Sequence, residues 1–370
     1  MIVVAVSAGI DSMVLLDWLY QQGNEIVVAH VNYQKRKDSY LDALTIKSYL
    51  KGKDIQYEEL VVAKEAYGQE NFQAQARRLR YEFFEQVAKT YHTNQVYVAH
   101  HKDDFLETYL FKKKRLGLYN YYGIEDQIKY HNIEIYRPLL RYYKEDIKKY
   151  AVKKKIPYYE DSSNQELNYT RNRIREYLKT LSLIEKEKLY QEAMNLNEQT
   201  KKDIMFVKAN LVNHLEKNIF LQWSRNCQLR WLFLQIKKYD ITLKNLEDII
   251  HKIQYSTNFQ VTFLDTTIIK AYDIIYVLDK GLSDYCFSIM NDDDYDNFID
   301  EWKKKYNYDI KKIAIAYPFV IRNYQVNDFD KMDLTYQKFR KKIKKNKIPF
   351  FLRDYLPVIE KGNKMVIFIF

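Results

Sequence analysis

The first twelve residues constrain the fold of this chain more than any other segment. Residues 2–6 are a β-branched, apolar run that predicts a buried strand, and residues 13–22 carry the apolar spacing of a helix. Between them, residues 7–12 read Ser-Ala-Gly-Ile-Asp-Ser. A tight turn between a strand and a helix N-terminus can bind an anion, because backbone N–H groups and the helix dipole both favour negative charge there. An ordinary strand-to-helix turn of an α/β domain is the alternative.

This loop matches neither of the two commonest phosphate-binding patterns. The Gly-Lys-Ser/Thr of a Walker loop is missing, and a single glycine excludes the dinucleotide pattern. The loop resembles the Ser-Gly-Gly-x-Asp-Ser loop of the PP-loop ATP-pyrophosphatases, whose members activate substrates by adenylation. Ala8 replaces the first glycine of that loop, which is harmless at negative φ and strained at positive φ.

Short apolar runs alternate with helical patterns through residues 1–160. Strands are predicted at 2–6, 26–31, 55–62, 95–99 and 133–136, and helices at 13–22, 39–51, 70–90 and 103–116. This alternation predicts a doubly wound parallel sheet of the α/β class, similar to a Rossmann fold. Ligands of such sheets bind at the carboxyl ends of the strands, where the motifs described below lie.

The rest of the chain predicts a different organisation. No glycine lies between Gly123 and Gly281 and no proline between Pro157 and Pro318, so residues 165–255 are expected to be mostly helical. We predict a catalytic domain at 1–210, a mostly helical linker and middle domain at 211–290, and a small α+β domain at 300–370. The acidic run at residues 292–296 predicts a loop at the last boundary.

Charge and cysteine content narrow the class of protein. The 370 residues carry 60 Lys and Arg against 49 Asp and Glu, a net charge of +11, which favours a polyanionic partner such as nucleic acid. A solvated basic surface encoded by an AT-rich genome is the alternative. Two distant cysteines, Cys227 and Cys286, exclude a cysteine-built metal site and favour a reduced, cytoplasmic location. No apolar run approaches 18 residues, so no membrane span is expected.

Polar clusters follow the predicted strands. His30 and Asn32 end the second strand, where they could contact a base or ribose. Arg77 and Arg80 are spaced i, i+3 on a helix, so both could reach one phosphate group, although a solvated helix face would show the same spacing.

Two histidines and three carboxylates lie within residues 100–107. Asp104 and Glu107 share a helix face by their i, i+3 spacing, and paired carboxylates beside an ATP site could hold Mg²⁺ or a cationic amine. A metal site that includes His100 is less favoured, because no fourth ligand is evident. Further on, Arg171, Arg173 and Arg175 are typical of phosphate recognition in ATP or RNA.

These motifs occur in the order found in tRNA(Ile)-lysidine synthases, which the chain resembles. The resemblance is close over residues 1–180, loose over 215–285, and clear again at 339–367, where a basic helix precedes Lys-Ile-Pro and Leu-Arg-Asp. It rests on residues 7–12, 30–32, 76–81, 100–108, 137–140, 161–164 and 171–175. Residues 33–36 and 115–119 depart from the family pattern, and in the first of these only Arg36 keeps its place.

The resemblance implies an ATP-dependent ligase that adenylates carbon 2 of the wobble cytidine of CAU-anticodon tRNA(Ile) and then transfers free lysine to it. It implies ATP and Mg²⁺ as cofactors. It also implies that the protein is a monomer or a homodimer. It implies ATP contacts at Ser7, Ala8, Gly9, Ile10, Asp11, Ser12, His30, Asn32 and His100. It implies catalytic roles for Asp11, Arg77, Asp104, Glu107 and Arg173, where Asp104 and Glu107 also orient lysine and Asp11 shares Mg²⁺. It implies tRNA contacts at Arg36, Arg171, Arg175, Arg340, Lys341, Lys344, Lys345 and Arg353.

Three other functions are weighed against this one. A tRNA thiolase of the same superfamily would need cysteines near the loop, and residues 1–226 contain none. A small-molecule PP-loop ligase would not need the basic helix near the C-terminus and would turn over ATP without RNA. A non-catalytic RNA-binding protein on a degenerate ATPase fold is disfavoured because Asp11, Asp104 and Glu107 are all present.

Overall fold

The computed structural model describes residues 1–34, 38–63, 72–159, 169–236, 241–279, 282–325, 328, 335–362 and 364–367. The chain divides into two compact units, Met1–Thr200 and Lys201–Phe370. The three-domain division at residues 210 and 290–300 stays a prediction.

The first unit is built on a six-stranded sheet. Its strands are β1 (Ile2–Ala5), β2 (Ile26–Asn32), β3 (Gln56–Val61), β4 (Gln95–Tyr97), β5 (Gln127–Tyr130) and β6 (Ile133–Tyr136), in the order β3-β2-β1-β4-β6-β5. The pairings are parallel except that of β5 with β6, which is antiparallel. The predicted doubly wound sheet is therefore confirmed, with the unpredicted β5 added at its edge. β5 is short and partly exposed, so its sequence lacks the apolar run that identifies its neighbours.

Seven α-helices of the described residues follow the strands, and those that pack against the sheet lie on both of its faces. The seven helices are α1 (Ile10–Gln21), α2 (Tyr40–Leu50), α3 (Phe72–Thr90), α4 (Lys102–Arg115), α5 (Lys144–Lys154), α6 (Tyr169–Thr180) and α7 (Leu183–Ala209). Adjacent β1 residues point to opposite faces, as the alternation of a strand requires. Val4 packs into the core that contains the apolar residues of α1 and α2, whereas Val3 packs into the core formed with α3. The central strands β1 and β2 are thus buried on both sides, which fixes the position of their carboxyl ends.

The second unit begins with helices and an antiparallel sheet. After β7 (His214–Glu216) come α8 (Lys217–Gln222), α9 (Arg225–Ile236) and α10 (Leu243–Tyr255), as the helical prediction to residue 255 requires. The chain then forms β8 (Phe259–Phe263), β9 (Thr266–Ala271) and β10 (Ile274–Asp279), in the sheet order β7-β10-β9-β8. The mostly helical character predicted for 211–290 therefore holds only as far as residue 255. Leu264 and Tyr272 adopt positive φ in the hairpin turns of this sheet. Because neither residue is a glycine, the sequence pattern did not indicate these turns.

The C-terminal part is a second antiparallel sheet with two helices. Its elements are β11 (Cys286–Ile289), α11 (Asp292–Tyr306), β12 (Phe319–Asn323), α12 (Tyr336–Lys345), β13 (Pro357–Lys361) and β14 (Lys364–Ile367). The acidic run predicted as a loop is instead the first turn of α11, where carboxylates interact favourably with the helix dipole and Asn291 accepts from the Asp294 N–H. None of the helices within the described ranges has the length and apolar character needed to cross a bilayer.

Candidate functional site

The loop between β1 and α1 is held together by Ser12. Its hydroxyl donates to the Gly9 carbonyl at 2.9 Å and accepts from the Ser7 N–H at 3.1 Å. The Met13 N–H donates to the same Gly9 carbonyl at 3.1 Å and so begins the helix. Ser12 is buried, whereas Ser7 is exposed. Of the two predicted ATP-binding serines, Ser12 therefore shapes the loop and Ser7 is open to a ligand.

Ala8 adopts the backbone conformation that normally requires glycine. Its φ is +64°, while Gly9 is extended with φ −66° and ψ 155°. Ala8 is also fully buried, and its carbonyl accepts from the Tyr159 N–H at 3.0 Å. A non-glycine residue at this φ costs about 1–2 kcal/mol. Of the two outcomes that the sequence left open for Ala8, the structure has the strained one.

A cavity of about 260 Å³ opens beside this loop at the carboxyl ends of β1, β2 and β4. The polar and aromatic residues that line it come from the loop, from the end of β2, from α3 and from the end of β4: Ser7, Asp11, Ser12, Tyr33, Arg80, Tyr81, Phe84 and His100. The sequence therefore predicted the place of the cavity and several of its lining residues.

Three arginines and one carboxylate act on His100 in the wall of this cavity. Burial, reinforced by Arg137, Arg80 and Arg77, lowers the pKa of His100 to about 4, and the opposing effect of Asp104 is smaller. His100 is therefore neutral near pH 7, and its buried Nδ1 has no hydrogen-bond partner among the described residues. An anion in this cavity would meet the Arg80 guanidinium rather than an imidazolium.

Arg137 is a residue near this site to which the sequence assigned no role of its own, and it lines a neighbouring cavity of about 490 Å³ rather than this one. It is 4% exposed, its Nη1 donates to the Glu125 carbonyl at 2.7 Å, and its Nε is unpaired within the described part of the chain. Burial lowers its pKa, with Tyr81 acting in the opposite direction. The position of Arg137 directly after a strand and before a proline was the sequence feature that could have indicated a role at the carboxyl end of the sheet.

His30 and Asn32 lie behind the cavity rather than in its lining. His30 is 2% exposed, and its Nδ1–H donates to the Val6 carbonyl at 2.8 Å, which ties β2 to the end of β1. The Asn32 side-chain oxygen accepts from the Gln34 N–H at 3.0 Å. Their neighbours Ala29 and Val31 line the cavity instead. In this structure the two predicted ATP contacts shape the backbone beneath the site.

A network of charges joins the loop to α4 and α5. Both oxygens of Asp11 accept from Lys144 Nζ at 2.6 Å. Asp104 accepts from the His101 N–H at 2.9 Å and thereby caps α4. Burial alone would raise the pKa of Asp103, but hydrogen bonds from Lys186 and from the Lys144 N–H hold it below its usual value. Sequence patterns predicted no role for Lys144, because its partner lies 133 residues away.

Glu107 lies buried against two arginines of α6. It is 5% exposed, and its two oxygens face Arg175 Nε at 2.6 Å and Arg171 Nε at 3.6 Å. The structure thus uses Glu107 to fasten α6 to α4. Arg173 is exposed and lies between these two arginines in sequence, on another face of the helix. Arg36 and the motif at 161–164 lie outside the described residues.

The fit of Mg²⁺ depends on what else is bound. Within the described residues, no group of three or more His, Cys, Asp or Glu side chains could hold a metal ion. Mg²⁺ commonly keeps several waters and binds one or two carboxylates together with substrate phosphates. Asp11 fits that pattern, because its carboxylate lies on the loop that would carry the phosphates.

The basic helix near the C-terminus is strongly two-sided. In α12 only Phe339 and Ile343 are buried, and they form an i, i+4 pair. The exposed basic residues in and just after this helix are Lys338, Arg340, Lys341, Lys342, Lys344, Lys345 and Lys347. Arg353 is only partly exposed, and its Nε donates to the Ile348 carbonyl at 3.3 Å. The helix presents the predicted basic surface, and Arg353 is held close to the backbone that follows it.

Comparison with known proteins identifies close relatives. A family model described as a PP-loop domain matches residues 1–181. The tRNA(Ile)-lysidine synthase of Mycoplasma mycoides subsp. mycoides SC is 31% identical over 305 residues, covering 78% of this chain and 76% of that protein. The tRNA(Ile)-lysidine synthase of Mycoplasmopsis pulmonis is 32% identical over 288 residues, covering 75% of this chain and 99% of that protein. That of Mesoplasma florum is 29% identical over 355 residues, covering 88% of this chain and 87% of that protein.

Proposed function

Because this chain belongs to the tRNA(Ile)-lysidine synthase family, we propose that it joins free lysine to carbon 2 of the wobble cytidine of CAU-anticodon tRNA(Ile). The base is first adenylated by ATP, which releases pyrophosphate, and the lysine amine then displaces AMP. The product tRNA reads AUA in place of AUG. Since its substrates are ATP, lysine and tRNA, the enzyme would work in the cytoplasm.

The observation that carries the location of this reaction is the cavity beside the loop, where a helix N-terminus and an arginine meet. Two residues of the first turn of α1, Asp11 and Ser12, line this cavity, and so does Arg80. Arg77 and Arg137 lie close enough to lower the pKa of neighbouring His100. A triphosphate is the ligand whose charge suits this combination. We assign to Arg77 the stabilisation of negative charge that develops as adenylation proceeds.

The carboxylates beside the cavity suit the second step. Asp104 is partly exposed and lies next to His100, so it can bind an amine of lysine and orient it toward the base. Glu107 is engaged by Arg171 and Arg175, so we assign it the task of placing α6 along the same site. From there Arg173 would contact the adenylate or the anticodon-loop phosphates.

Mg²⁺ would be held by Asp11 together with the phosphates of ATP. When bound it supplies positive charge that offsets the charge of the leaving pyrophosphate. The tRNA backbone would lie on the exposed basic residues of α12, since phosphate contacts come mainly from Lys and Arg side chains.

The test is incorporation of labelled lysine into tRNA. The protein is incubated with ATP, Mg²⁺, labelled lysine and an unmodified CAU-anticodon isoleucine transcript, with initiator tRNA as the control. Label in the isoleucine tRNA alone, dependent on ATP and accompanied by AMP, is the expected result. ATP turnover without RNA would point instead to a small-molecule ligase, and the absence of ATP binding to a non-catalytic RNA-binding protein.

A further inference from the structure

Lys144 makes a close ion pair with the carboxylate of the ATP-binding loop. Its Nζ donates to both Asp11 oxygens at 2.6 Å, and the two side chains are 30% and 28% exposed. The ammonium group therefore lies against the loop, and the side chain remains partly open to solvent.

The backbone around Lys144 is fixed independently of this ion pair. Lys144 is the first residue of α5, and its N–H donates to Asp103 Oδ2 at 2.9 Å. The other oxygen of Asp103 accepts from Lys186 Nζ at 2.8 Å, and the Lys186 side chain is only 6% exposed. Lys144 thus starts from an anchored position, and only its side chain is free to change partners.

The placement of Lys144 is unfavourable for α5 itself. A cation at the first position of a helix lies at the positive end of the dipole, which is unfavourable. The helix already has Glu145 and Asp146 in its first turn, so the charge of Lys144 is not needed there. A function outside the helix explains this placement better than helix stability does.

The carboxylate of Asp11 must be neutralised before the loop can bind phosphates. Asp11 places a negative charge where the phosphates of ATP would bind, and that charge would repel them. Lys144 is the cation in direct contact with Asp11 among the described residues, and His101 Nε2, the other neighbour, is 3.9 Å away. A group that neutralises Asp11 and remains partly open to solvent is placed to contact the phosphates as well.

We infer that Lys144 is a pyrophosphate-binding residue of this site. In the free enzyme its charge is held by Asp11, and in the complex it contacts the β- and γ-phosphates of ATP. During adenylation an oxygen–phosphorus bond forms between the cytidine O2 and the α-phosphorus. The bond from that phosphorus to the β-bridging oxygen breaks, and its electron pair leaves on pyrophosphate, next to the Lys144 ammonium. The inference rests on the proposed function in taking ATP as the ligand.

The direct test is binding of inorganic pyrophosphate to the full chain in EDTA, measured by calorimetry. Lys144→Met should raise the dissociation constant about 10- to 100-fold, which is the loss of affinity expected for one charge-assisted hydrogen bond. Lys144→Arg should retain most of the affinity. Lys148→Met, one turn along the same exposed surface of α5, should bind like the wild type. Unchanged binding by Lys144→Met, or no measurable binding by the wild type, would overturn the inference.

A second pair of variants separates contact with pyrophosphate from mere neutralisation of Asp11. If Lys144 only neutralised Asp11, the double variant Asp11→Asn, Lys144→Met would recover the affinity of Asp11→Asn alone. If Lys144 touches pyrophosphate, the double variant remains at least tenfold weaker than Asp11→Asn. Thermal unfolding of each variant checks that it is folded, and recovery of full affinity would contradict the proposed contact.

Failure of the pyrophosphate-binding inference can be distinguished from failure of the proposed ligase function. Pyrophosphate binding is measured on the protein without tRNA or lysine, so it stands whether or not lysine is transferred. Loss of binding in Lys144→Met with no lysine transfer by the wild type would retain the site and reject the ligase activity. In an active enzyme, Lys144→Met should raise the KM for ATP and leave the KM for lysine unchanged.

Discussion

Ala8 shows how a single residue can depart from a family pattern without a large loss of stability. Three terms act when Ala8 is replaced by glycine. Relief of the positive φ gains about 1–2 kcal/mol, the added chain entropy of the unfolded state costs about 0.4–1 kcal/mol, and loss of the buried methyl costs about 0.8 kcal/mol. These nearly cancel, so Ala8→Gly should change the free energy of unfolding by less than about 1 kcal/mol in urea denaturation.

The matched control for this prediction is Ala43, a buried alanine within α2. Ala43→Gly has no strain to relieve and should destabilise the protein by about 1 kcal/mol or more. Ala8→Val should be more harmful still, because a β-branched residue at this φ is a severe outlier. Equal losses for Ala8→Gly and Ala43→Gly would show that the loop is not strained at Ala8.

His100 should give the protein a pH-dependent stability. Burial, with the neighbouring arginines, lowers its pKa to about 4, so the folded state stays neutral at pH values where the unfolded state binds a proton. The stabilisation is present above about pH 6.5 and is lost as pH falls through about 4. The loss is at most about 3 kcal/mol.

Comparison with His100→Asn isolates this contribution, because other carboxylates also titrate in acid. The free energy of unfolding of the wild type minus that of the variant should fall between pH 7 and pH 4.5, as measured by urea titration at each pH. A constant difference over this range would show that His100 is not held in its neutral form.

Lys144, Glu107 and Arg137 mark the limit of what residue patterns could predict. The loop, the arginines of α3 and the carboxylates of α4 were found because each lies within a few residues of a recognisable pattern. The contact of Lys144 with Asp11 depends on α5 folding back against α1, which no local spacing records. The arginine partners of Glu107 lie on α6, far from it in sequence, so the ion pairs that accompany its burial could not be predicted either.

At the scale of whole elements, the ion pairs of Glu107 should determine how firmly α6 is held against α4. Glu107 is buried while Arg175 is about half exposed, so solvent screening reduces the value of the pair to about 1–2 kcal/mol. Arg175→Met should therefore accelerate hydrogen exchange of the α6 amides. Lys179→Met is the control, since it removes the same charge from an exposed position of α6 whose partner, Glu176, lies on the same helix. Equal acceleration by both variants would contradict a specific role for Glu107.

Elements were predictable where their turns follow common rules. The strands β1 and β2 were found because strands covered on both faces require continuous apolar runs, and β3, β4 and β6 were found from shorter apolar runs that polar residues interrupt. The hairpins of β8, β9 and β10 were missed because Leu264 and Tyr272 adopt positive φ without glycine. The first turn of α11 was taken for a loop, although its carboxylates favour a helix start.

For the molecule as a whole, the net charge of +11 leaves open whether binding of tRNA depends on the position of the basic residues or only on their number. If α12 binds phosphates, the triple variant Lys341→Gln, Lys344→Gln, Lys345→Gln should weaken tRNA binding. It should also flatten the dependence of log affinity on log salt by about 0.7–0.9 for each phosphate that is no longer neutralised. Filter binding of tRNA between 50 and 200 mM salt (roughly the range in which such interactions weaken) measures both quantities.

The control removes the same charge elsewhere. Lys148, Lys149 and Lys153 are exposed on α5, so replacing them with glutamine lowers the net charge by the same three units as the α12 variant. If position matters, the α5 variant keeps nearly the wild-type salt dependence, while the α12 variant has a flatter one and still binds inorganic pyrophosphate normally. Equal effects in both triple variants would mean that tRNA affinity depends on the overall charge of the protein. That result would contradict the proposal that α12 is the tRNA-binding surface.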